Sequence, residues 1–374
     1  MGLKELKLLN STEAFISGCL SIAVPLYLLQ KNLDIVEIGM IFSLSPLMFA
    51  VIRLFLASIA DQIGTRKMFL LDFICYSLSS ACYLIPNVFT YALAKVLEGV
   101  GQSSIWAVNR TSLLSTVNGN RRIASSESSE IQGRRYFAYA LGAFVSGVFV
   151  SIMGFEKFFI LLSILSMCQI AYYNAIPEIQ KRKLKMREIM ESLDLRSKGK
   201  RIPKISLVMM LRSIGTIPLF NFIIPIYFYS LGFENALIGT VLASYNLTVG
   251  VFAIAMRNLK LRESVVFSLI YPVCMVLFFL TPFPYSIAFL ILGAIGDGTG
   301  IKLWEKMIFS CLKDSKYVST DIAILHFPEK TAYFVFLVLS GFFVSLIGFA
   351  LFFPLSAFFF ILFTFLSYRI LDEF

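Results

Sequence analysis

The chain has 374 residues, of which 58% are hydrophobic and 38 are phenylalanine, with a mean hydropathy of +0.80. So little polar surface excludes a water-soluble globule and leaves a polytopic membrane protein. The net charge of +10 gives no reason to expect nucleic acid, because the basic residues sit in short gaps between apolar runs, where they orient helices.

Apolar runs of about 20 residues, enough to cross a hydrocarbon core at 1.5 Å per residue, begin near residues 13, 36, 68, 89, 126, 157, 205, 235, 264, 285, 326 and 353. The pattern predicts an all-α protein of twelve transmembrane helices in two six-helix bundles, 1–177 and 205–374, joined by a basic linker at 178–204. With the N-terminus in the cytosol, the outer gaps hold only Lys31 and Lys157 as basic residues. Both termini are therefore expected in the cytosol, and the chain in a plasma or inner membrane as a multi-pass monomer. The linker, with Lys181, Arg182, Lys183 and Lys185 among its cations, reads as a solvated segment held inside by charge; contact with anionic lipid heads is the alternative.

Ile16-Ser17-Gly18-Cys19 has the form of a lipoprotein cleavage box, but Asn10 to Glu13 stand where a signal peptide needs its apolar region. Asn10, Asn109 and Asn246 head glycosylation triplets at positions that the machinery is not expected to reach. The six cysteines lie in apolar runs without metal-ligand or redox spacing. No metal and no cofactor is expected.

The second half echoes the first. Pro25 and Tyr27 recur as Pro225 and Tyr227, Ile38-Gly39 as Ile238-Gly239, and Ser146-Gly147 with Gly154-Phe155 as Ser340-Gly341 with Gly348-Phe349. Six helices repeated in this way are the organisation of alternating-access transporters, with a midplane cavity between the halves.

Between the second and third apolar runs lies a charged corner, Ala57 to Lys67. Its Asp61, Gly64, Arg66 and Lys67 resemble the loop signature of the major facilitator superfamily, Gly-x-x-x-Asp-Arg/Lys-x-Gly-Arg-Arg/Lys, while Ala57, Gln62 and Thr65 depart from it. Lys95-x-x-x-Gly99-Val-Gly101 is similar to that family's helix 4 signature, with Lys in place of Arg. The resemblance implies a cavity lined by helices 1, 4, 7 and 10. It also implies a gating network of the loop Asp with charged inner helix ends, which would join Asp61 to Arg110 and Glu127. The second corner, Met256 to Arg262, has lost both Asp and Gly.

Ionisable groups within membrane helices are costly and mark cavities or partners. On helix 4, Lys95, Glu98, Gln102, Trp106 and Asn109 stack at helical spacing and form the expected substrate or proton cavity wall; a Lys95 that snorkels outward and pairs with Glu98 is the alternative. Helix 10 supplies the second wall with Asp297, Trp304 and Glu305, beside Lys302 and Lys306. The two tryptophans offer a flat surface for a sugar, aromatic or cationic solute, or simply pack. Helix 5 places the adjacent Arg134 and Arg135 where an anion could dock; a self-satisfied Glu130–Arg134 pair, with contacts to Arg110, is the alternative. Glu13 and Arg212 sit about equally deep from the cytosolic side and could meet as an inner gate when the cavity opens outward; interfacial anchoring is the alternative. His326 stands three and four residues before Glu329 and Lys330, as a pH-sensing or merely satisfied group.

These residues predict a secondary active transporter that moves a small solute of unknown class, coupled to protons through a carboxylate among Glu98, Asp297 and Glu305. A facilitated uniporter of the same fold and a transport-inactive sensor or scaffold are the alternatives. An enzyme is not expected, since no nucleophile, metal cluster or acid/base set converges.

Overall fold

The computed structural model describes residues 3–171, 201–312 and 318–372, the side chains at 58–63 and 218 excepted. Twelve helices and no strand occur among them. They are α1 (Leu3–Gln30), α2 (Ile35–Ile63), α3 (Thr65–Cys82), α4 (Val88–Thr116), α5 (Arg121–Met153) and α6 (Phe155–Cys168). Beyond the undescribed stretch come α7 (Arg201–Ser230), α8 (Asn235–Ala255), α9 (Leu261–Leu280), α10 (Ser286–Cys311), α11 (Val318–Ile347) and α12 (Phe352–Asp372). The start of α1 and the end of α12 lie at one end of the bundle, where Lys7 pairs with Glu127 and Glu130 and Leu371 shares a cavity with Arg121 and Arg201. This end is called the termini face.

Nine of the twelve helices are long and apolar enough to cross a membrane. The exceptions are α3, α4 and α6. The α4 helix carries the polar face that begins at Lys95, α3 carries Arg66, Lys67 and Asp72, and α6 spans only 14 residues. Several helices start earlier than their apolar runs: α1 at residue 3, α5 at 121 and α11 at 318. Hydropathy registers only the hydrocarbon segment, whereas a helix satisfies its own backbone equally in lipid and in the polar interface. Of the linker expected at 178–204, residues 178–200 lie outside the described residues, and Arg201 to Lys204 already form the first turn of α7.

The breaks between helices reflect local chemistry. Gly64, the N-cap of α3, has φ +92°, a backbone conformation that side-chain-bearing residues rarely adopt, so the charged corner turns only with glycine there. The amide oxygens of Asn87 and Asn120 accept from the Phe89 and Ile123 N–H groups at 2.8 and 3.2 Å, capping α4 and α5. Within α7, Leu219–Ile223 form a π turn, which comes after Pro218 and precedes Pro225.

Packing pairs α1 with α5, α2 with α4, and α3 with α4 and α6; six helices on, α7 pairs with α11, α8 with α10, and α9 with α10 and α12. The two groups meet mainly where α5 lies along α8 and α2 along α11. Far from the termini face, both crossings are made by glycines. A Cβ on Gly147 would stand 2.6 Å from the Asn235 carbonyl oxygen and 3.0 Å from Gly239 Cα. One on Gly39 would stand 2.9 Å from the Leu337 carbonyl oxygen and 3.5 Å from Gly341 Cα. Small residues at helix crossings allow backbone-to-backbone approach, which compensates for the weak hydrophobic drive between helices in lipid. Aromatic clusters fill each group separately: Tyr27, Tyr83, Tyr91 and Phe159 in the first, and Tyr227, Phe278, Phe349 and Phe353 in the second.

Candidate functional site

Three adjoining chambers occupy the middle of the bundle, and Ile217 of α7 lines all of them. The first, about 160 Å³, lies among α1, α2, α3, α4, α5, α7 and α11 and is lined by Tyr76, Lys95, Glu98, Gln102, Tyr139, Asn221 and Lys330. The second, about 210 Å³, takes in Trp106, Arg135, Tyr136, Tyr245 and Asp297. The third, about 160 Å³ and nearest the termini face, takes in Arg53, Trp106, Arg110, Arg212, Trp304, Glu305, His326 and Glu329.

Each acidic side chain on these walls holds a named cation or hydroxyl. Lys95 Nζ donates to Glu98 Oε2 at 2.7 Å and lies 4.1 Å from the Phe42 ring centroid; Tyr83 and Ser79 donate their hydroxyls to Glu98 Oε1 at 2.8 and 3.2 Å. Gln102 Nε2 donates to the Tyr76 oxygen at 3.2 Å. Arg212 pairs with Asp297 at 2.5 Å, and Tyr245 donates to the other carboxylate oxygen at 2.9 Å. Arg110 grips Glu305 with two donors, Nη2 at 2.7 Å and Nε at 3.2 Å, and Ser128 donates to the same carboxylate at 2.8 Å. Burying such groups is tolerable only because partner and hydrogen bonds replace water.

Arg110 also donates to His326 Nε2 at 3.3 Å. A guanidinium has no lone pair to offer, so Nε2 is the acceptor and the ring proton sits on Nδ1, facing Glu329. Lys330 holds the other Glu329 oxygen at 3.0 Å.

Several expectations change. Glu13 and Arg212 do not meet: Glu13 pairs with Arg135 at 2.5 Å and Arg212 with Asp297. Two buried charges each satisfied within their own group of helices have no free valence for the other. Arg134 does not line a chamber; its side chain is 52% exposed and is held by Glu130 at 3.0 Å. The inward position belongs to Arg135, whose guanidinium lies 4.8 Å from the Trp106 ring centroid. Asn109 lines no described chamber, since it forms a reciprocal amide pair with Asn10 of α1 at 2.9 and 3.0 Å. Arg110 and Glu127 do not share a network, because Arg110 turns to Glu305 and Glu127 to Lys7 at 2.9 Å. Asp61 falls among the undescribed side chains; Arg66 is half-buried and Lys67 exposed. Lys302 and Lys306 point away from the chambers into a cavity of about 730 Å³ at the termini face.

Bonds at the termini face join the two groups of helices. Besides Arg110–Glu305 and Ser128–Glu305, Arg257 of the second charged corner reaches Glu130, and Ser319 donates to the Ala107 carbonyl at 2.6 Å. At this end the two groups are joined by polar contacts, and at the far end by the glycine crossings.

The family model of the Major Facilitator Superfamily matches residues 8–262. The chain belongs to the major facilitator superfamily. Among solved structures it is similar to a POT family transporter in complex with a thioalcohol-conjugated peptide, with TM-score 0.72 and 14% identity over 97% of this chain and 94% of that one. It is equally similar to a POT family transporter in complex with 5-aminolevulinic acid, with TM-score 0.71 and 14% identity over 99% and 96%. No curated protein matches the sequence. The protein is a multi-pass membrane transporter of this superfamily.

Some of the transporter's wall residues carry a signal that the charge pattern alone passes over. Gln132, Tyr136 and Tyr139 keep to helical spacing with Arg135 on α5, and all four face the second chamber. Arg53 interrupts the apolar run of α2, where it reads equally as an interfacial anchor. Asn221 lies in the π turn of α7 and accepts from the Tyr139 hydroxyl at 3.0 Å; a π turn has no sequence signature of its own. Asp72 of α3 is buried with both carboxylate oxygens lacking a hydrogen bond and lines none of the three chambers.

Proposed function

We propose that this transporter is a secondary active carrier that moves a small solute across a cell membrane by alternating access, coupled to protons. Two six-helix halves, 1–177 and 205–374, are joined by the linker at 178–204 and repeat one architecture. They rock about the chambers, with the termini face in the cytosol and the chain acting as a monomer. The equivalent helix pairings and the meeting of Gly39 with Gly341 and of Gly147 with Gly239 support the repeat. The scarcity of basic residues in the opposite loops supports the orientation.

The observation that carries the reading is the Arg110–Glu305 pair, which ties the two halves together beside the central chambers. A carrier must break such contacts to open one face and remake them to close it. Glu305 is suited to link that step to a proton: protonation cancels its charge and the attraction that holds Arg110, so the termini face is freed when the proton binds. A proton drives transport only through such a difference between the two states. The solute site comprises Lys95, Glu98, Gln102, Trp106, Arg135, Asp297 and Trp304.

Counterflow in proteoliposomes tests the reading. Glu305→Gln should retain solute exchange and lose accumulation driven by a pH gradient; unchanged accumulation removes Glu305 as the coupling group. Facilitated uniport is the second reading, favoured by the cation partners already held by Glu98, Asp297 and Glu305. Exchange that is blind to the pH gradient in the unmodified protein would establish it.

A further inference from the structure

Charge in the chamber nearest the termini face does not balance, and the excess sits on one residue. Arg110, Arg212 and Lys330 each hold a carboxylate of their own, Glu305, Asp297 and Glu329. Arg53 of α2 does not. It is only 2% exposed, makes no ion pair among the described residues, and leaves its Nε without a hydrogen-bond partner. Its remaining contacts are weak for a guanidinium: Nη2 donates to the Trp106 carbonyl at 3.2 Å, and the group lies 5.1 Å from the Phe49 ring centroid. A lone buried cation is among the costliest groups that a membrane protein can carry. Arg also presents a planar fork of donors matched to a two-oxygen anion, and here that fork faces a cavity that also carries both Trp106 and Trp304.

We infer that Arg53 is the docking cation for an oxyanion of the solute, and that the transporter carries a small organic acid whose carboxylate or phosphoryl group neutralises Arg53 while its body lies against the indoles. The other charged walls are closed pairs, so they contribute position and polarity and leave net attraction to Arg53. Neutral sugars and amines gain nothing from this arrangement, and an amine is repelled by it. The inference rests on the transport reading only for the steps after binding.

The experiment uses the full-length protein in detergent and three probes with one body: indole-3-acetate, indole-3-acetamide and tryptamine, with butyrate, butyramide and butylamine as an aliphatic set. The readout is the shift in thermal unfolding midpoint with concentration. At least one acid should raise the midpoint while its amide and amine do not. Arg53→Gln should abolish that shift, and Arg53→Lys should retain part of it. Without ligand, Arg53→Gln should unfold at or above the wild-type midpoint, since it removes an unpartnered charge.

A shift from the amines or amides in place of the acids, no shift from either acid, or an acid shift undiminished in Arg53→Gln overturns the inference. A ligand-free Arg53→Gln protein that unfolds well below wild type makes Arg53 a structural cation and overturns it too. Proteoliposome counterflow with the same probes separates the two readings. An acid that binds at Arg53 but is never exchanged supports the anion site and defeats the transport reading. Exchange of tryptamine that survives Arg53→Gln supports transport and defeats the anion site.

Discussion

Arg110 of α4 and Glu305 of α10 are joined by two hydrogen bonds at 2.7 and 3.2 Å, and neither side chain is more than 3% exposed. Removing one partner strands the other charge, which typically costs about 3–5 kcal/mol, whereas replacing both by apolar groups of similar volume is often neutral. Arg110→Met should therefore lower the thermal midpoint sharply, and Arg110→Met with Glu305→Leu should recover most of the loss. Because the pair bridges the two groups of helices, the single variant should also expose the termini face. A cysteine placed at Ser128 in a cysteine-free background should then react faster with a soluble maleimide.

Two neighbouring arginines on α5 should behave oppositely. Arg134 is half in solvent, and its partner Glu130 keeps Lys7 at 2.7 Å when Arg134 is lost; Arg134→Ala should cost less than about 1 kcal/mol, as exposed pairs do. Arg135→Ala leaves Glu13 buried without its cation and should cost about 3–5 kcal/mol. Thermal midpoints of the two variants, measured side by side, check this.

A charge exchange tests the same pairing. Glu13→Arg with Arg135→Glu should recover stability lost in each single variant, and Glu13→Arg with Arg212→Glu should not. Recovery in the second combination would show that α1 and α7 meet through these residues in another conformation.

At the far end the constraint is steric. A valine at Gly147 must push the Asn235 carbonyl away from a 2.6 Å approach, so α5 and α8 have to separate. Ser21→Cys, on a chamber wall, should become more reactive from the side opposite the termini in Gly147→Val, and Gly39→Val should act alike through α2 and α11. Unchanged labelling in both would mean that the glycines set helix packing without sealing the chambers.

Within one helix, spacing is a good guide. Lys95, Glu98, Gln102 and Trp106 are stacked by the helix itself, and all four do line the chambers. Asn109 continues the same stack, yet it is claimed by Asn10 of another helix, and no periodicity on α4 contains that information. Partners across helices are similarly hidden. Depth suggests Glu13 with Arg212, but depth leaves rotation undetermined, and the rotation of α5 turns Arg135 inward and Arg134 out. Arg53 escapes a sequence reading for a related reason: a single cation in an apolar run becomes informative only once the carboxylates around it are known to be paired with other cations. Family loop residues are legible as a motif, and the observed geometry adds the reason for one of them, the positive φ of Gly64.

The π turn in α7 changes the correspondence between α7 and α1. Such a turn accommodates one extra residue, and one residue is about 100° of rotation in an α-helix. Aligned on Pro25 and Pro225, the uninterrupted α1 would match Glu13 with Ser213; discounting the extra residue matches it with Arg212. The same station therefore carries an acid in one bundle and a base in the other, and each has recruited the opposite charge from a neighbouring helix. Deleting one residue from Leu219–Ile223 would rotate Arg212 away from Asp297 while Tyr227 stayed among its aromatic neighbours, so the polar half of α7 and its apolar half owe their separate orientations to that single insertion.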